Sequence, residues 1–268
     1  MRVSSKGKYY GTQNTKCTLD EIVLSQYDYT VEKTPWHFHE NPYFMFVLQG
    51  NMLDCNRQVK SLLPPGSLMF NNWQEQHYGV RHSNEAAGFH LEFEKSWLKK
   101  NNIDLQIFEG SQLIQNPQIH LYFNQLYQEF KIGDQHSKAA IELLLLQICE
   151  VLNVTKKVVS ESKPGWLDRL EELIQSQPSN LSLQYLSREL AVHPVHISRA
   201  FPKYFSVSLG EYIRQMKLKR ALPLLIQGNK PLTEIAYEVG FSDQSSFNHT
   251  FKRYFHASPG KFRKIAGS

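Results

Sequence analysis

The stretch Pro231–Arg263, PLTEIAYEVGFSDQSSFNHTFKRYFHASPGKFR, decides how the chain folds. Leu232, Ile235, Ala236 and Val239 fall on one helical stripe, and Gly240 stands where a left-handed residue must end that helix. Ser242 is placed to cap a second helix, with Asp243 favoured by the positive end of its dipole. Phe247, Phe251 and Phe255 recur every four residues and must face a core, which turns Gln244, Ser245, Asn248, His249 and Lys252 outward. The spacing predicts helix, tight turn, helix.

The same unit occurs once more upstream. At an offset of fifty, Phe201-Pro202-Lys203-Tyr204-Phe205 lies over Phe251-Lys252-Arg253-Tyr254-Phe255; further upstream the offset is forty-nine, pairing Leu186 with Ile235 and Glu189 with Glu238. Duplication of a supersecondary unit explains this, with the first copy one residue longer at its turn. In that copy Leu183, Leu186 and Leu190 form the first stripe, Ala191-Val192 the turn, and Pro194 suits a first helical position. Ile197 and Phe201 point inward, and Val195, His196, Ser198 and Arg199 outward. An apolar helix through Leu209, Tyr212, Met216, Leu218, Leu222 and Leu225 joins the two units.

Charge follows this division. Trp166–Ser268 carries 14 Lys+Arg against 8 Asp+Glu, a balance of +6, which leaves −1 of the overall +5 for the rest. A basic domain suggests a polyanionic partner. Helical faces bearing Arg, Gln, Asn and hydroxyl groups suit the major groove, where Arg reads guanine and Asn or Gln reads adenine. Either face alone reads as an ordinary solvated surface; two at corresponding positions in a basic domain favour duplex DNA, read about 34 Å apart on one side.

Pro231–Arg263, together with LSLQYLSRELAVHPVHISRAFPKYF and the linking segment EYIRQMKLKRAL, resembles the AraC/XylS-type transcription regulators over Trp166 to Arg263. The resemblance implies base-edge contacts from Val195, Ser198 and Arg199 and from Gln244, Ser245, Asn248 and His249, with His196 and Lys252 on the same faces. Pro202 and Pro223 depart from the pattern inside predicted helices, where each removes a backbone hydrogen bond and invites a kink. His256 stands where the family often has glycine.

Residues 20 to 93 alternate short β-rich runs (Tyr43–Leu48, Val59–Leu63, Ser67–Phe70, Gly88–Phe93) with turns at Gly50 and Pro64-Pro65-Gly66. Phe89, Leu91 and Phe93 share one strand face, His90 and Glu92 the other. His37-Phe38-His39, Gly50, Pro65-Gly66 and His77 resemble the two short cupin motifs, implying a small barrel; Tyr43 stands where metal cupins carry Glu, and Glu92 or His90 are the substitutes available for it. The barrel reads as a sensor for a small effector such as a sugar, with His37, His39, Tyr43, Trp73, His77, His90 and Glu92 as its binding groups. The histidines read as hydrogen-bonding groups, so no metal, cofactor or catalytic residue is assigned. The alternative is a metal-dependent cupin enzyme fused to a DNA-binding module; a barrel that senses nothing is a third reading.

Beyond the barrel the period changes to helical at Ile119–Phe130 and Ile141–Leu152, a hairpin that packs on its own subunit or on a twin. The fold class is therefore multidomain α+β: a cupin-like sensor and dimerisation domain at 1–155, a linker at 156–165, and an all-α domain with two helix-turn-helix units at 166–268. No apolar run approaches a membrane span and none follows the basic N-terminus, so a cytoplasmic location is expected. Cys17, Cys55 and Cys149 are too few and too scattered for a disulfide framework. The expected partners are promoter DNA, the effector, a second copy of the chain and RNA polymerase, with no membrane.

Overall fold

The computed structural model describes residues 2–159, 164–176 and 181–267. Four of the ten residues of the predicted linker, 160–163, lie outside them, and 156–159 continue the preceding helix where a linker is expected. Eleven strands come first among the described residues: β1 (Arg2–Ser4), β2 (Thr12–Leu19), β3 (Ile22–Asp28), β4 (His37–His39), β5 (Tyr43–Gln49), β6 (Met52–Asn56), β7 (Lys60–Leu63), β8 (Leu68–Asn71), β9 (His77–Arg81), β10 (Ala87–Phe93) and, after helix α1 (Lys95–Lys100), β11 (Gln112–Leu113). They form two sheets, ordered β1-β4-β9-β6-β7 and β11-β8-β5-β10-β3-β2. Turns at Gly50 and Gly66 have positive φ, as their glycines anticipate.

Strand period two gives the second sheet two different faces. On β5, Tyr43, Met45 and Val47 join Tyr27, Tyr29, Met52 and Leu63 in a core shared by both sheets. Phe44 lies on the other face among Phe70, Phe93 and Phe108, with ring centroids 5.2, 6.1 and 6.4 Å away. Both faces are covered, which is why β10 is buried along its whole length, His90 and Glu92 included.

Helices follow: α2 (Pro117–Ile132), α3 (Ser137–Val159), α4 (Trp166–Ser176), α5 (Leu183–Leu190), α6 (Pro194–Phe205), α7 (Leu209–Gln227), α8 (Leu232–Glu238), α9 (Gln244–Phe255) and α10 (Pro259–Gly267). Packing divides the chain into two units, Met1–Gln115 with Ile132–Ile141, and Asn116–Lys131 with Glu142–Ser268. Most of the hairpin that the sequence reading places within 1–155 is thus grouped with the C-terminal helices. Gln125 Nε2 donates to the carbonyl of Tyr254, and Tyr127 Oη reaches that of Ala266 at 3.3 Å.

Local chemistry sets the helix ends. Ser182 and Ser208 cap α5 and α7, accepting from the amides of Tyr185 at 3.1 Å and Glu211 at 3.2 Å. The cap of α9 is Asp243, not Ser242: its carboxylate accepts from the Ser246 amide at 2.7 Å, and the Ser242 hydroxyl donates to that carboxylate. A carboxylate gains from the helix dipole as well as from the amide, so it takes the position. Gly240 has the positive φ its turn requires; in the first copy Ala191 adopts φ 52°. Ser206 and His256, fifty residues apart, are both left-handed C-caps, so the position where glycine is usual is filled twice by other residues. Helices α6 and α7 continue through Pro202 and Pro223, each losing one bond to the carbonyl four residues back.

Candidate nucleic-acid interface and ligand cavity

Helices α6 and α9 are both twelve residues long, at an offset of fifty, and each is anchored by buried rings. Phe201 stacks on Phe205 with centroids 4.2 Å apart, and Phe251 on Phe255 at 4.4 Å. Leu167, Leu170, Ile174, Leu186 and Ile197 complete the core of the first unit, and Phe247 and Phe262 flank Phe251 in the second. Burying these faces fixes which residues meet solvent. Val195, His196, Ser198 and Arg199 are exposed on α6, and Ser245, His249 and Lys252 on α9, as the periodicity predicts. Gln244 and Asn248 are only half-buried. Gln244 Oε1 accepts from Thr233 Oγ, while Asn248 Oδ1 is buried without a hydrogen-bond partner. His196 also stands edge-on to Trp166 at 5.9 Å.

A polar junction couples α7 to α9. Glu211 accepts from Arg214 at 2.7 Å, pairs with Arg253 at 3.7 Å, and receives the Tyr254 hydroxyl. Partial burial opposes its ionisation, but Tyr254 and the two arginines outweigh this and hold the carboxyl below its usual range. Sequence periodicity gave no sign of this contact, because its members belong to different copies of the repeat.

In the barrel, β4 pairs with β9 so that His37 faces His77 directly. His39 follows two residues along the same face. These three imidazoles, with Tyr43 and His90, line an internal cavity together with Tyr9, Tyr10, Tyr29, Met45, Met52 and Asp54. Its free volume is about 50 Å³, room for roughly four water molecules. The Tyr43 hydroxyl lies 3.1 Å from His77 Nε2 and the Tyr29 hydroxyl 3.0 Å from His90 Nε2. Tyr29 reaches His90 by crossing Gly88, where a Cβ would stand 1.9 Å from its hydroxyl. Burial pushes His39 well down, His77 to about 4 and His90 to about 3, so the rings are neutral at neutral pH. His39 Nδ1 and both amide atoms of Asn71 are buried with no hydrogen-bond partner, whereas His77 and His90 turn their second nitrogen towards the backbone at Glu75 and Ser25.

Two of the seven predicted effector residues do not line this cavity. Glu92 is buried but already engaged: it accepts from the Gly7 amide at 2.7 Å, the Tyr9 hydroxyl at 3.0 Å and Asn41 at 2.9 Å. It anchors the N-terminal arm, whose Tyr9 ring stacks on His90 with centroids 3.7 Å apart. Trp73 lines a separate surface cleft with Phe38, Arg57 and Glu75, under the Lys95 ammonium at 5.3 Å. The loop after β8 leads it away from the histidines that it neighbours in sequence. Conversely, Tyr9, Tyr10, Tyr29 and Asp54 escape motif reading. Only the alternation of β6, which places Asp54 on the face of Met52, marks any of them.

The histidines fit a metal in part. Ligand atoms of His37, His39 and His77 lie within 4.8 Å of one another, and His37 Nδ1 donates to the Pro35 carbonyl at 2.8 Å, leaving Nε2 with the lone pair. No carboxylate joins that group among the described residues: Glu92 holds the arm, and Tyr43, at the usual Glu position, is a phenol that burial keeps protonated.

A model described as an AraC-like ligand binding domain matches residues 21–149, and one described as a helix-turn-helix domain matches residues 186–265. The multiple antibiotic resistance protein MarA of Escherichia coli is 35% identical over 97 residues, 36% of this chain and 74% of MarA. The chain belongs to the AraC family of transcription regulators. The Msm operon regulatory protein of Streptococcus mutans is 34% identical over 39% of this AraC-family chain, which spans only 38% of that relative's length. A ToxT structure from Vibrio cholerae aligns with 92% of the chain at 14% identity and a TM-score of 0.37. Among the described residues no helix is long and apolar enough to cross a membrane.

Proposed function

We propose that this AraC-family protein is a sequence-specific DNA-binding transcription regulator whose barrel binds a small effector. One observation carries the DNA half of the reading: two helices of equal length, fifty residues apart, present corresponding exposed faces from ring-anchored cores in a domain of charge +6. Arg199, His196, Ser198 and Val195 read one groove; Ser245, His249, Asn248 and Gln244 read the next, with Lys252 contacting phosphate. The cavity's lining supports the effector half: four imidazoles, four phenols and a carboxyl converge on one small space, and buried polar groups of this kind are stable only with hydrogen-bond partners. A bound polar molecule, a sugar being the class first expected, supplies such partners. The protein acts as a homodimer in the cytoplasm, engages RNA polymerase at promoters, and has no catalytic role.

Selection of bound sequences from random DNA, repeated with and without metabolites, tests this reading. Enrichment of one motif with two half-sites, changed in affinity by a metabolite, supports it; no enrichment refutes it. The convergence of His37, His39 and His77 favours a second reading, a metal-dependent enzyme fused to the DNA-binding module. Metal analysis of the purified protein separates the two: stoichiometric metal that disappears in a triple alanine variant supports the enzyme.

A further inference from the structure

We infer that the barrel's effector is a small organic cation, an aliphatic amine whose ammonium group is held against Asp54. The inference rests on the effector reading above and narrows its chemistry. Asp54 is 6% exposed, lines the cavity, and its side chain makes no hydrogen bond or ion pair among the described residues. Tyr29 and Tyr43 line the same cavity, so the carboxyl shares its space with two phenol rings. Directly across the ladder from Asp54 stands Gly79, where an added Cβ would meet nothing nearer than 3.9 Å, so there is room beside the carboxylate. No lysine or arginine lines the cavity, which leaves the counter-charge to the ligand.

Other ligand classes satisfy less of this. An anion is repelled by the ionised Asp54 and gains no partner beyond a single donor from the protonated one. A neutral polyol can hydrogen-bond the carboxyl but does nothing to offset the cost of ionising it in a buried site, which a cation does. A metal on His37, His39 and His77 leaves Asp54 outside the group of atoms that meet within 4.8 Å. An alkylammonium cancels the charge, donates up to three hydrogen bonds, and places its cation against phenol rings whose faces attract it. Free space for roughly four waters limits the amine to a few heavy atoms unless Tyr9 withdraws.

Thermal-shift and calorimetric titration of the full chain with n-propylammonium chloride tests the inference, against n-propanol, NaCl at equal ionic strength, D-glucose and ZnCl₂. Propylammonium should stabilise the protein where propanol and NaCl do not. Asp54→Asn should weaken its binding at least tenfold, about the loss of 1.4 kcal/mol, and Gly79→Val, which fills the space beside the carboxylate, should do the same. An unchanged response in Asp54→Asn overturns the inference. Stabilisation by glucose or zinc alone overturns the amine while leaving an effector site in place. Silence from these probes and from a wide metabolite screen removes the effector reading as well.

Discussion

Replacing Arg199 by alanine separates base reading from electrostatic attraction. The side chain is exposed on α6, two residues from the buried Ile197 and Phe201 and so on the opposite face, and enters no ion pair among the described residues. Its removal therefore leaves folding stability within about 0.5 kcal/mol. A guanidinium placed bidentate on guanine contributes about 1–3 kcal/mol of discrimination, equivalent to roughly 5- to 150-fold in affinity. Arg199→Lys keeps the charge but loses the planar fork, so it should lose most of the specific affinity and little of the non-specific affinity. Lys252→Ala should weaken all duplexes alike and flatten the salt dependence by about 0.9 in the log–log slope. Fluorescence anisotropy on a selected site and on a random duplex, over a salt series, measures both quantities. Equal losses on the two duplexes, or a lysine variant that binds like the parent, would refute base reading by Arg199.

Phe251→Ala deletes a ring packed among Phe247, Phe255 and Phe262 and should cost about 3–5 kcal/mol in chemical denaturation, with loss of the second half-site in footprinting; a loss under 1 kcal/mol contradicts the packing described. Gly88→Ala drives a methyl into the Tyr29 hydroxyl and should destabilise by about 1–3 kcal/mol; adding Tyr29→Ala should recover part of that loss, and strict additivity of the two changes would argue against the clash. Burial, helped by the negative charge of Glu75, raises the Asp54 carboxyl from 3.8 to about 7, so the folded chain holds a proton that the unfolded chain has released between those values, and stability falls as pH rises through that window. The stability of Asp54→Asn relative to the parent should accordingly climb from pH 4 to 7 in parallel urea titrations; a pH-independent difference excludes a buried, raised carboxyl at this position.

Both helix-turn-helix units were legible because helical period and turn chemistry are local, and the duplication repeats every signal at a known offset. The cap of α9 was misread by one residue, since Ser242 and Asp243 are both good caps and only the geometry of the turn selects between them. In the barrel, the pairing of His37, His39 and His77 follows from strand alternation and the two short motifs. Trp73 and Glu92 went astray because nearness in sequence says nothing about where a loop leads, nor about which buried carboxylate an N-terminal arm will claim. Tyr9, Tyr29 and Asp54 reach the cavity through long-range pairings, β1 with β4, β3 with β10 and β6 with β9, that no local pattern encodes.

The arm carrying Tyr9 and Tyr10 lies ahead of residue 21, where the match to the ligand-binding family begins. A barrel cut to that boundary would lose a ring that closes one side of the cavity, and would bare a carboxylate, Glu92, whose partners include Gly7 and Tyr9. Such a fragment would also lose β1 and β2, one edge strand from each sheet. Screens for the effector should therefore keep the first twenty residues, and a tag fused at the N-terminus should be separated from β1 by a long spacer.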